Sequence, residues 1–161
     1  MKHLIGNEHC KVDTNGRFKM PKKLLEQLDL SSNKSFAIRK KLDDQCLELF
    51  HYNGFQEEME VITKQINRDS SEEEEALFYA LTDVDVIDLD ASERLPLPKR
   101  FDEEIGTGND IVIRGVGNCF EIRIAAQYEK RNDERKKNEK ALKQLRSKLS
   151  KAYKDNEQKV Q

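Results

Sequence analysis

Two aspartate–arginine pairs at one spacing are the residues of this 161-residue chain best suited to chemistry at a surface. Asp13 and Arg17 flank Thr14-Asn15-Gly16, and Asp90 and Arg94 flank Ala91-Ser92-Glu93. A guanidinium is a planar fork of donors that matches phosphate oxygens or the edge of a guanine. An aspartate beside a turn can fix the loop that presents the fork. The plainer alternative, an ion pair inside each turn, does not exclude that second role. Lys19, Lys22 and Lys23 follow the first pair, and Lys99 and Arg100 follow the second.

Catalysis is a poor match to the same residues. Asp13-Thr14-Asn15-Gly16 superficially resembles the Asp-Thr-Gly loop of aspartic proteases, but Asn15 breaks the spacing and Asp90-Ala91-Ser92 lacks glycine. A working dyad shares one proton, and a cation four residues from each aspartate would hold both ionised. His3, His9, Cys10, Cys46 and His51 have no standard metal-ligand spacing. No glycine-rich phosphate loop with a lysine and no nucleophile motif occurs. The expectation is a non-enzyme with no cofactor, no metal and no small-molecule substrate.

The elements that must position the two pairs come from one unit written twice. Asp, Arg and Pro recur together at an offset of 77 residues (13/90, 17/94, 21/98), and Leu24/Phe101 and Leu28/Ile105 follow. Phe36-Ala37-Ile38-Arg39 matches Ile111-Val112-Ile113-Arg114 at an offset of 75, and Cys46-Leu47-Glu48-Leu49 matches Cys119-Phe120-Glu121-Ile122 at 73. The offset changes only in loops, where small insertions cost little. Each unit reads as strand, turn, strand, short helix and hairpin. Pro21 signals the first short helix, Lys41–Gln45 forms the first hairpin loop, and Gly115-Val116-Gly117-Asn118 turns the second hairpin. Such a unit cannot bury both faces alone, so two interleaved halves closing into one small barrel are expected.

A helical insert separates the units. Phe55, Met59, Ile62 and Ile66 mark one helical face, and Ser70 followed by Glu72–Glu75 opens a second helix with its carboxylates at the positive end. The division expected is 1–53 for repeat 1, 54–82 for the insert, 83–124 for repeat 2 and 125–161 for a charged helical tail. In the tail, Leu142, Leu145, Leu149 and Ala152 cover barely two heptads, fewer than a coiled coil wants.

Composition narrows the class. The chain is 36% hydrophobic and 37% charged, so its core is small and it holds one ordinary domain or two very small ones. Three cysteines make no disulfide framework, no apolar run approaches a membrane span, and no signal core follows Met1-Lys2-His3. A cytoplasmic protein without membrane contact is expected. The net charge of −2 hides a gradient: residues 1–124 hold 17 Lys and Arg against 25 Asp and Glu, and residues 125–161 hold 12 against 6. Residues 11–41 are locally basic, nine against three, whereas residues 83–123 carry five basic against ten acidic. Phosphate contacts dominate nucleic-acid affinity, so the first unit is the expected reader.

Val12–Pro21, Asp44–Phe50, Leu89–Arg94 and Gly117–Ile122 together resemble the MraZ family of bacterial transcriptional regulators, over about Gly6 to Ala125. The resemblance implies an α+β fold, a swapped-hairpin β-barrel of the AbrB type built from the two tandem repeats, with short helices and here a long charged C-terminal helix. It also implies ring homo-oligomers that display the Asp-x-x-x-Arg loops toward repeated double-stranded promoter DNA of the division and cell wall gene cluster, as a nucleoid-associated repressor. On that reading the DNA-binding set is Asp13, Arg17, Lys19, Lys22, Lys23, Asp90, Arg94, Lys99 and Arg100, with the aspartates orienting the loops. The chain departs from the family at Glu93, where a glycine is expected before the second arginine, and at Arg123, where an aromatic usually follows Glu-Ile. The alternative reading is an acidic oligomeric interaction scaffold that has lost DNA binding.

Overall fold

The computed structural model describes residues 3–42, 44–130 and 134–160. Asp43, within the expected first hairpin loop, and residues 131–133, within the expected tail, lie outside the described residues. The chain forms two compact units, residues 1–125 and 126–161.

The first unit carries β1 (Asn7–Lys11), β2 (Arg17–Lys19), α1 (Lys22–Leu25), β3 (Ser35–Lys40), β4 (Leu47–His51), α2 (Tyr52–Gln65), α3 (Ser71–Thr82), β5 (Asp85–Asp88), β6 (Arg94–Pro96), a 3-10 turn (Lys99–Phe101), β7 (Asp110–Gly115) and β8 (Phe120–Ile124). All pairings are antiparallel. The main sheet runs β1-β7-β8-β4-β3-β5, and β2 and β6 form a separate ribbon. Pairing joins strands far apart in the chain: β1 lies on β7, β5 lies on β3, and β2 lies on β6.

The expectation of a closed barrel is corrected. The six strands form an open sheet with β1 and β5 at its edges, and no ladder joins those edges among the described residues. Closure is not needed to bury the apolar faces. Phe18, Leu95, Leu24 and Phe101, from the ribbon and the two short helical turns, pack with Phe36, Ile38, Leu49, Ile113, Phe120 and Ile122 of the sheet in one core. On α2, Phe55 and Met59 pack with Ala37, Phe50 and Cys119 in a second cluster. The sheet is thus covered on both sides rather than wrapped on itself.

Local signals account for the helices. Phe55 and Met59 are the buried face of α2, at the helical spacing read from the sequence. Ser70 caps α3, its side chain accepting from the Glu73 amide, with Glu72, Glu73 and Glu74 in the first turn. At the β7–β8 corner, a Cβ on Gly115 would collide with the backbone of Leu4 and Ile5. That close approach lets Leu4 bridge Gly117 and tie the N-terminal segment to the sheet. From the last residue of the first unit onward come α4 (Ala125–Lys130) and α5 (Arg135–Val160), α5 as one helix of 26 residues. No helix among the described residues is long and apolar enough to cross a membrane.

Candidate nucleic-acid interface

The two Asp-x-x-x-Arg loops share one hydrogen-bond plan. Asp13 Oδ1 accepts from the Asn15 and Arg17 amides at 2.8 and 2.9 Å. Asp90 Oδ1 accepts from the Ser92 and Arg94 amides at 2.8 and 2.9 Å. In both loops the aspartate amide donates to the arginine carbonyl, and the residue before the arginine donates to the aspartate carbonyl. The aspartate therefore acts as a template that bends the chain into a tight turn. The residues that complete the turn, Gly16 and Glu93, both sit in the left-handed region, at φ 76° and 61°.

The ribbon joins the loops. Arg17 faces Pro96, Phe18 faces Leu95 and Lys19 faces Arg94. The pattern continues at both ends, where Leu97 donates to the Gly16 carbonyl and Met20 to the Glu93 carbonyl. Alternation sends Phe18 and Leu95 into the core and leaves Arg17, Lys19 and Arg94 outside, with Arg94 half-buried. The sequence-predicted residues Arg17, Lys19, Asp90 and Arg94 are thus brought together.

The side chains break the symmetry. Arg17 Nη1 reaches across to Asp90 Oδ2 at 3.4 Å, and Arg94 Nε lies 3.3 Å from the same oxygen. The Arg17 and Arg94 side chains remain 49% and 40% exposed, so both forks keep donors for an outside partner. Backbone donation from Arg94 and then Ser92, helped by the Arg94 charge, lowers the Asp90 carboxyl below its ordinary value against the opposing effect of burial. Lys22 and Lys23 stand exposed on α1, and Lys99 is exposed on the 3-10 turn. Arg100 is placed differently: it pairs with Asp83 at 2.9 Å and with Asp85, and its guanidinium lies 4.3 Å from the Phe101 ring centre. Those contacts tie the turn to the segment that follows α3.

Sequence reasoning missed a second duplicated pair, in the sheet. Arg39 opposes Glu48 in the β3–β4 register, and Arg114 opposes Glu121 in the β7–β8 register. Their positions were already aligned in the repeat, and Arg and Glu at matching offsets were the available signal. Glu121 is buried and collects Lys41 at 2.7 Å, Arg114 at 2.7 Å and Arg123 at 3.1 Å. Burial opposes its ionisation, yet donation from Lys41 and Arg114 and the charges of Arg114 and Arg123 hold its pKa at about 2. Arg123, where the resemblance led to an aromatic being expected, binds Asp44 at 2.6 Å, and that carboxylate raises the pKa of the guanidinium. Burial raises the Cys10, Cys46 and Cys119 thiols to about 12, 11 and 12, which disfavours the thiolate.

The sequence matches the family model described as "MraZ protein, putative antitoxin-like" over residues 80–149. A protein of Flavobacterium psychrophilum named "Transcriptional regulator MraZ" is 32% identical over 134 residues, 83% of this chain and 85% of the relative. The chain belongs to the MraZ family. Relatives of the same name in Bacteroides fragilis and Phocaeicola vulgatus are 28% and 30% identical. Those alignments cover 81% and 73% of this chain, and 82% and 77% of the relatives. The MraZ relatives carry the name of a regulator rather than an enzyme, and this chain is an MraZ-type regulator with a mixed α and β fold.

Proposed function

We propose that the protein is a sequence-specific DNA-binding regulator that represses the division and cell wall gene cluster. The observation that carries this reading is the ribbon, whose outer edge gathers Arg17, Lys19 and Arg94 from both repeats over one buried floor. A two-stranded ribbon is of a size that the major groove admits. Arg17 and Lys19 meet phosphates or base edges directly, with Lys22 and Lys23 adding phosphate contacts. Arg94 and Lys99 extend the contact from the second repeat, Arg100 acts only at its margin, and Asp13 and Asp90 hold the loops.

The cross-repeat pairings support a swapped-hairpin reading of the first unit. The parts are repeat 1 (1–53), the insert (54–82), repeat 2 (83–124) and the tail (125–161). A ring of subunits on successive promoter repeats gives each weak loop a high effective concentration. The protein acts in the cytoplasm, on the nucleoid. The competing scaffold reading draws on Asp90, which lies between the two arginines, and on Glu93 beside them.

A fluorescence-anisotropy titration against the duplex upstream of the protein's own gene separates the two. A DNA reader binds that duplex more tightly than a scrambled one and loses affinity steeply as salt rises. A scaffold binds neither, and that result overturns the proposal.

A further inference from the structure

A cleft of about 420 Å³ lies beside α2, walled also by Leu4 and by the stretch that follows α1. Leu4, Leu28 and Val61 give it an apolar lining, Asp29, Glu57 and Glu58 give it an acidic one, and no lysine or arginine lines it among the described residues. Glu58 shares its charge with Arg39 at 2.9 Å, whereas Glu57 and Asp29 face outward and Val61 is 50% exposed. The opposite chemistry stands on α5, which carries ten Lys and Arg against three Asp and Glu. Its seam of Leu142, Leu145 and Leu149 is 42%, 61% and 52% exposed, with Arg146 and Lys148 on the seam's flanks.

We infer that the cleft beside α2 is the docking site for α5 of a second copy of this chain. The leucine seam enters the apolar lining, and the flanking Arg146 and Lys148 meet Glu57 and Asp29. The lengths agree, since Leu142 to Leu149 spans about 10 Å and the α2 wall from Asn53 to Val61 about 12 Å. An amphipathic helix laid in a groove through residues at i, i+3 and i+7 is a recurrent mode of recognition. Pairing of α5 with another α5 is opposed by the excess of positive charge on both helices. A phosphate backbone would satisfy the lysines and leave the leucines in water. The acidic, part-apolar cleft satisfies both, and the inference stands without the DNA reading.

The test uses the full chain without DNA. Chains of natural abundance are mixed with 15N chains, and a carbodiimide couples lysine amines to carboxylates in contact. The expected products join α5 lysines to Glu57 or Asp29 in peptides of mixed isotope content. Replacing the seam by Leu145→Gln with Leu149→Gln keeps the helix-forming tendency of α5. It removes those products and weakens self-association at least tenfold in sedimentation. Reversing Arg146 and Lys148 to Glu weakens it comparably, and adding Glu57→Lys recovers at least threefold. The inference is overturned by products confined to single chains, by cross-links that survive the seam variant, or by cross-links from α5 that go instead to Glu72–Glu75. It is also overturned if α5 is protected only when duplex DNA is added.

Discussion

The segments read from the sequence as repeat 1 (1–53) and repeat 2 (83–124) share the hydrogen-bond plan of their loops and differ in where they keep their charge. In the loops, repeat 1 offers Gly16 with Arg17 and Lys19, while repeat 2 offers Glu93 and an Asp90 carboxylate between the two guanidinium groups. In the sheet the balance is reversed. Arg39 and Glu48 of repeat 1 each keep 19% of their side chains exposed, while Glu121 of repeat 2 keeps 2% and gathers three cations. The two loops share one hydrogen-bond frame. The second segment buries Glu121 and Arg123 in the packed interior, while its Arg94 and Arg114 side chains stay 40% and 37% exposed.

The largest effect expected from this division is on stability. Glu121→Gln takes the shared carboxylate from Lys41 and Arg114 and leaves Arg123 with Asp44, and breaking a buried pair of this kind costs about 3–5 kcal/mol. Glu48→Gln leaves Arg39 still paired with Glu58 at 2.9 Å and is expected to cost about 1 kcal/mol. Urea denaturation at neutral pH measures both, and equal losses would show that the two sheet pairs are equivalent after all. The same carboxylate sets an acid limit. Its folded pKa of about 2 lies below that of an ordinary glutamate. Its contribution is therefore full above the unfolded value and fades as the pH falls toward 2. Wild-type stability should drop through that window, and Glu121→Gln should flatten the drop.

The next effect falls on DNA. Arg17→Ala should cost about 1–3 kcal/mol per contact, enough across several subunits to abolish specific binding. Arg94→Ala should cost less, because Arg94 is the more buried of the two and is held by its own loop's aspartate. Neither change should shift the unfolding midpoint strongly or alter assembly, because both side chains lie at the surface. Anisotropy titrations of the two variants against one duplex decide the matter. Equal losses, or none, would remove the functional difference between the loops.

How far the sequence alone reveals this arrangement depends on the range of the interactions involved. The turn at each aspartate, the Ser70 cap and the α2 face are written in local spacing, and each appears in the fold. Lateral closure is a long-range property: nothing in the strand pattern says whether β1 meets β5 or the ribbon covers the face instead. Arg100 was legible as a basic residue near a loop but not as a partner of Asp83 and Asp85, which precede it by 17 and 15 positions. Arg123 looked like a lapse from the family pattern, and only the fold brings Asp44 to it across 79 positions.

The smallest effect comes from the residue that separates the two loop tips. Among the described residues Glu93 is the one non-glycine at positive φ, and its counterpart Gly16 adopts nearly the same backbone without a side chain. A left-handed L-residue costs about 1–2 kcal/mol, and a glycine there gives back about 0.5–1 kcal/mol through the freedom of the unfolded chain. Glu93→Gly should therefore stabilise by a few tenths to about 1 kcal/mol. Gly16→Ala should cost about 1 kcal/mol for the mirrored reason. A Cβ at Gly16 would come no closer than 3.9 Å to Leu97 O or Thr107 Cγ2, so packing adds nothing and backbone strain alone is measured. Calorimetric melting of both variants checks the pair. If Glu93→Gly instead lowers the midpoint, the carboxylate holds an interaction that outweighs its backbone strain, and repeat 2 keeps its charge at the loop for a purpose repeat 1 does not share.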